Sequence, residues 1–241
     1  MLTPELHIST DFIANDHIGS ETLRAYCAEL KKTKVVIFAL CVQGRLKAMI
    51  NLVHYNIGAG TMIAIPSESF IQILKTSDDI QMHVILFSLP FVHETNLDKS
   101  IIDTFYIINE HPLLPLPEKI FNIYTDTFSL LTRICKDVPF LLSRATLKSI
   151  LEALLQGFTE LSQRKALLQV APVNRHSAIY RKFIRLVQEY HTQQHQVQFY
   201  ATKMGIKSTT LCHIVKKKSN GQTAMEVINS ILILDARTLL R

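Results

Sequence analysis

The 241-residue sequence predicts an α+β protein in which a β-barrel or sandwich precedes a run of helices. Three observations carry that expectation. Residues 35–92 fall into short apolar, β-branched segments with turn residues between them at roughly ten-residue spacing. Beyond about residue 97 the apolar residues recur instead at helical intervals. Charge is also segregated: from Arg175 onward there are eleven Lys/Arg against three Asp/Glu, a net of +8, while residues 1–174 carry a net of −2. A basic segment of this kind points to a polyanionic partner for one part of the chain only, or, more plainly, to a solvated basic face.

The strands come in order. "VVIFALCVQG" is an apolar run that ends in Gly44, and "RLKAMINLVHYNIGAG" follows with partial alternation and a turn at 58–60. "TMIAIPSESFIQIL" is broken by Pro66, and "IQMHVILFSLPFV" runs to Pro90. Residues 1–34 supply edge strands and a short helical stretch, "ETLRAYCAEL". The alternation does not separate inward from outward positions, so the interior reads equally as a filled core or as a small-molecule pocket.

"PEKIFNIYTDTFSLLTRICKD" sets Ile120, Tyr124, Phe128, Leu131 and Cys135 on one helical face, between Pro117 and Pro139. "SRATLKSILEALLQGFTELSQRKALL" is the strongest helix, with Leu147, Ile150, Leu151, Leu154, Phe158 and Leu161 forming a continuous stripe. Such a stripe is buried against the chain's own strands or against a second copy of the chain. "HPLLPLP" at 111–117 reads as a rigid connector, and residues 169–178 as an interdomain linker.

Residues 200–221, "YATKMGIKSTTLCHIVKKKSNG", read as two short helices around a tight turn. Ala201 is small where helices cross, Gly205 suits the turn, and Ser208 is a good N-cap. Leu211, Ile214 and Val215 share a face, which turns Thr209, Thr210, Cys212, His213, Lys216 and Lys217 outward. Thr209, Thr210 and His213 can hydrogen-bond base edges, while Lys207, Lys216, Lys217 and Lys218 suit phosphates. Ser208 belongs to the same candidate surface. The partner is then double-stranded DNA, although a plain helical hairpin has the same pattern. Thr223 and Glu226 make a capping box that opens a last helix through Met225, Ile228, Ile231, Leu232 and Leu239.

On these residues, "QFYATKMGIKSTTLCHIVKKKSNGQTAMEVINSILILDARTLL" resembles the first half of the DNA-binding domain of AraC/XylS-type bacterial transcriptional regulators. "FALCVQGRLKAMINLVHYNIGAGTMIAIPSESFIQIL" resembles their cupin-like effector domain. The resemblance implies a cupin-like effector domain over 1–97, a helical dimerisation region over 98–168, and a first helix-turn-helix with its linker helix over 179–241. It implies a homodimer, a small-molecule effector in the barrel, and contact with RNA polymerase if the protein is an activator. The family's second helix-turn-helix and its Gly-Phe signature do not appear, so Arg241 reads as a truncated end, natural or engineered. His213 stands where a base-contacting Arg is common. The alternative is a dimeric sensor or interaction protein of the same ancestry that does not bind DNA.

Other classes find little support. Ten histidines include no His-x-His, and His54 and His83 lack a matching carboxylate, so no metal site and no cofactor is expected. His191 and His195 stand four apart, where the helix is expected to fray. There is no phosphate-binding Gly-rich loop and no G-x-S-x-G elbow, so the chain does not read as an enzyme. Four scattered cysteines (Cys27, Cys41, Cys135 and Cys212) suit reduced thiols. With no membrane-length apolar run and no signal peptide, the expectation is a cytoplasmic protein that does not engage membranes.

Overall fold

The computed structural model describes residues 10–27, 29–95, 104–105, 107–109, 111–168, 175–219 and 221–239. Two compact units emerge, one of residues 1–50 with 54–169, the other of 51–53 with 170–241.

The first unit is built on two antiparallel sheets. Five strands lie in the order β1 (Phe12–Ile18), β8 (Gln81–Ser88), β3 (Val35–Gln43), β6 (Thr61–Ile65) and β9 (Leu113–Pro115). The other sheet has the order β2 (Lys31–Lys32), β7 (Phe70–Thr76), β4 (Arg45–Ile50) and β5 (Val53–Gly58). At the β4–β5 turn Asn51 (φ 47°) and Leu52 (φ 60°) take the left-handed conformations of a two-residue hairpin turn. Helix α1 (Ser20–Cys27) packs on β7. Ser88 caps α2 (Leu89–Glu94), its hydroxyl accepting from the Phe91 N–H at 3.2 Å, so the run expected to be strand as far as Pro90 turns helical after Ser88. Helix α3 (Glu118–Asp137) and helix α4 (Arg144–Leu168) follow, with a 3₁₀ turn at Pro139–Leu141 between them.

Two separate cores lie on opposite faces of the five-stranded sheet. Val36, Phe38 and Leu40 of β3 join Phe12, Phe87, Phe91, Phe128, Leu151 and Phe158 in a core shared with α2, α3 and α4. Their alternates Val35, Ile37, Ala39 and Cys41 join Ala48, Ile50, Ile57 and Ile63 in a core between the two sheets. A strand buried on both faces has no polar face, which is why β3 shows no alternation in sequence.

The expected connector at 111–117 is instead partly strand. Leu113–Pro115 pairs with β6, Leu114 is buried, and Pro115 sits opposite Thr61. Proline, which cannot donate to a ladder, is tolerated at such a sheet edge.

The second unit contains α5 (Arg175–Tyr190), α6 (Val197–Lys203), α7 (Ser208–Lys218) and α8 (Ala224–Leu239). Residues 169–174 of the expected linker lie outside the described residues, and its last residues, 175–178, already belong to α5. The core here is Tyr180, Phe183, Ile184 and Val187 of α5 against Tyr200, Ala201, Leu211, Ile214 and Val215, with Val227, Ile228 and Ile231 of α8. Aromatic edges knit it together: Phe183 and Tyr200 meet with ring centroids 5.7 Å apart at 89°, and Phe199 and Tyr200 at 5.2 Å and 88°.

Candidate nucleic-acid interface and barrel cavity

The turn between α6 and α7 is made by Gly205 at φ 66°, a conformation in which any side chain would be strained. The Met204 and Gly205 N–H groups donate back into α6, and the Ile206 N–H reaches the Ala201 carbonyl at 3.1 Å. Ser208 is not the N-cap that its sequence position suggests. It is the first helical residue, Lys207 is the cap residue without a side-chain cap bond, and the Ser208 hydroxyl donates to Gln198 Oε1. That bond ties the start of α7 to α6, so Ser208 serves the turn and remains only half-exposed.

Along α7, Leu211, Ile214 and Val215 are buried, and Thr209, Thr210, Cys212, His213, Lys216 and Lys217 are exposed together with Lys207. Lys218 is half-exposed. The helix has no acidic residue of its own, and the Glu226 carboxylate of the next helix lies near enough to interact with Lys216. Three lysines in the last turn also suit the negative end of the helix dipole. The helix closes with the Ser219 N–H on the Val215 carbonyl and the Gly221 N–H on the Lys216 carbonyl, both at 2.9 Å; Asn220 lies outside the described residues. The capping box forms reciprocally: the Thr223 N–H donates to Glu226 Oε2 at 2.6 Å and the Glu226 N–H to Thr223 Oγ1 at 3.2 Å. Those backbone and hydroxyl bonds hold the exposed Glu226 carboxyl below its usual range. In α8, Met225 is exposed, whereas Val227 is buried with Ile228 and Ile231; the Leu239 side chain lies outside the described ones.

Lys203, outside the predicted face, is held by aromatic rings. Its Nζ sits 4.1 Å from the Tyr190 ring centroid and donates to the Tyr190 hydroxyl at 2.9 Å. Helix α5 ends at Tyr190, so His191 and His195 do not share a helical face; His191 is buried with Nδ1 3.1 Å from the Val187 carbonyl. Among the described residues no three His, Cys, Asp or Glu side chains gather as a metal site would require.

The long stripe on α4 divides in two. Leu147, Leu151, Leu154 and Phe158 are buried in the unit's own helix–sheet core, while Ile150 and Leu161 are half-buried at its margin. These two line an open groove of about 550 Å³ with Ile123, Tyr124, Glu160 and Arg164. The apolar side chains that stay in solvent belong mainly to α3 and the turn after it: Ile123, Leu130, Phe140 and Leu141, with Phe140 79% exposed.

Between the two sheets lies a cavity of about 90 Å³ with an entirely apolar surface. Ala39 and Ala48, one from each sheet, line it with isoleucines that include Ile37, Ile50, Ile63 and Ile73. The sequence does not mark these residues as cavity-lining, because continuous apolar strands do not reveal which side chains face the second sheet. On the other face of the five-stranded sheet, His83 is buried and its Nδ1 has no hydrogen bond, nor has Oδ1 of Asp16 nearby on β1. Burial pushes His83 below its usual value, with His17 adding to the effect and Asp16 opposing it. In the inter-sheet core, burial pushes the Cys41 thiol up to about 11, with the Asp79 charge adding to the effect, which favours its protonated form.

No protein-family profile and no curated protein matches the sequence. Three solved structures share a loose likeness with the chain. Wild-type ToxT from Vibrio cholerae strain SCE256, solved with an unsaturated fatty acid bound, is 17% identical, and the match covers 96% of this chain and 81% of that one with a TM-score of 0.39. ToxT from Vibrio cholerae O395 is 16% identical over 95% of this chain and 82% of its own, TM-score 0.37. The AraC-like transcriptional activator CuxR is 10% identical over 93% and 76%, TM-score 0.30. These overlaps are loose, and the function of this chain is read from its own side chains.

Proposed function

We propose that the chain is a transcriptional regulator in which α7 lies in the major groove of double-stranded DNA and the two-sheet unit receives a small-molecule effector. The observation that carries this is the face of α7: Thr209, Thr210, His213, Lys216 and Lys217 stand exposed on a helix that has no acidic residue of its own and is anchored by Leu211, Ile214 and Val215. Lysines on such a face neutralise phosphates, and the threonines and histidine read base edges. Ser208, engaged with Gln198, takes a positioning role. The chain has no catalytic role in this reading.

The test is binding to labelled duplexes from a random-sequence pool at two salt concentrations. Affinity should fall with salt, and Lys216→Ala with Lys217→Ala should lower the log–log slope by about 2, close to one released counterion per phosphate contact. Absence of salt-sensitive binding would instead favour a sensor that does not bind DNA, and an unchanged slope in the double variant would remove α7 as the DNA-contacting helix.

The reading includes a homodimer. Since most of the α4 stripe is internal, the contact is assigned to Ile123 and Leu130 of α3 with Ile150 and Leu161 at the groove. Glu160 and Arg164, of opposite sign beside it, suit a two-fold self-contact. Ile123→Asp should then shift the chain to monomer in sedimentation equilibrium. A wild-type monomer at high concentration would remove the dimer from the reading.

A further inference from the structure

The inter-sheet cavity carries a statement about ligand chemistry. Interiors are close-packed, and voids larger than a water are few because each forfeits contacts. Here the void of about 90 Å³ sits where β3 and β4 each present an alanine, Ala39 and Ala48, within walls otherwise made of long aliphatic side chains. The helix–sheet core on the other face of the same sheet is filled with phenylalanines. Between the two sheets, the free space gathers around these two alanines.

The lining also decides what can enter. Its surface is apolar throughout, and Thr22 of α1 is its one residue with a polar side-chain atom. Water in such a space finds no partners, so a cavity of this kind stays dry and accepts apolar guests. A carboxylate, sugar or amino group would give up its hydration and gain no hydrogen bond in return.

We propose that this cavity binds an uncharged hydrocarbon moiety, a short alkyl chain or a single small ring, with any polar group of the same molecule left outside the aliphatic wall. As an account of the effector this rests on the reading of the chain as a regulator; as an account of binding it stands on the cavity alone. Ala39 and Ala48 are the residues that set the size of the guest.

The probes are cyclopentane and tetrahydrofuran, the same ring without and with a polar atom, added to the full chain labelled at Ile and Leu methyls. Cyclopentane should shift the Ile37, Ile50 and Ile63 methyl signals saturably and leave Leu151, in the other core, in place. Tetrahydrofuran should bind at least about tenfold more weakly, since its oxygen gains no partner inside. Ala48→Leu should abolish the cyclopentane response while the Leu151 signal reports an intact fold. If that variant does not fold, Ala39→Val serves, with a response weakened at least about tenfold by the lost space. The proposal is overturned by the absence of a saturable shift with cyclopentane, by equal affinity for the two rings, or by a folded cavity-filling variant that binds like the wild type. Cyclopentane binding without salt-sensitive DNA binding would sink the regulator reading and keep the cavity site; the reverse result would sink the cavity site alone.

Discussion

The two faces of the five-stranded sheet solve the same burial problem with different side chains. Toward the helices the filling is aromatic: Phe87 packs on Phe12, Phe38 and Phe91 at centroid separations of 5.0, 6.4 and 6.0 Å. Toward the second sheet the buried residues are Ile, Val, Leu, Ala, Met and Cys, and a cavity remains. Large rings can fill the irregular space between a twisted sheet and three helices. Branched aliphatic chains from two facing sheets interdigitate in a thinner layer, and two alanines there open a gap. One face is built to hold the fold together, and the other keeps room.

Substitutions can break or sharpen this contrast. The largest effect is expected from Phe87→Ala, which removes the ring at the centre of the aromatic side and should cost about 3–5 kcal/mol in urea unfolding. Next, one enlargement should have different consequences on the two faces. Ala64, fully buried among the residues of the helix side, should cost about 1–3 kcal/mol as valine, through overpacking. Ala48→Val extends into free space and should change stability by less than about 1 kcal/mol. A similar result from both alanines would erase the distinction.

Helix α4 offers a further test on the packed side. A Cβ on Gly157 would meet Tyr124 Oη at 2.5 Å, while the next ring atom lies at 3.9 Å. Gly157→Ala should therefore destabilise by about 1–2 kcal/mol even though alanine is the better helix former. Adding Tyr124→Phe removes the clashing atom, and the double variant should equal or exceed the wild type. A double variant no better than the single one would place the strain elsewhere.

The smallest effect is a pH dependence from His83. Its folded pKa lies below 6.5, so on acidification the unfolded chain takes up the proton first. The stability of this unit should be flat above neutrality and fall as the pH drops through about 6.5 and lower, and His83→Gln should flatten that decline. Asp16, His17 and Lys136 are the charged groups around this position, Lys136 lying 3.8 Å from the Asp16 carboxylate.

Legibility in the sequence followed how much of each element faces water. Helix α7 shows a polar and an apolar side, and its exposed residues are those that spacing alone puts outward. The capping box at Thr223 and Glu226 was equally readable, because it is a local exchange of hydrogen bonds. Strand β3 was readable as a strand and no further: burial on both faces leaves nothing polar to mark the register. The α4 stripe was visible, but a stripe does not say what covers it, and here the unit's own sheet takes most of it. Ser208 looked like a cap by residue type, yet its hydroxyl is drawn to Gln198, a tertiary contact that no local rule contains. Cavities are invisible for a deeper reason: empty space is a property of several strands together.

The short strand Leu113–Pro115 has one more consequence, for what happens when many copies of this chain crowd together. A sheet with open outer strands is a template on which a neighbour can add its own strand, and stacking of that kind ends in fibres. Here one outer strand finishes in an imino acid with no hydrogen to offer. The opposite one, β1, is thrown out of register between Asn15 and Ile18, where the polar side chains of Asp16 and His17 fall. Both outer strands of this five-stranded sheet, as the described residues form it, thus refuse to be copied.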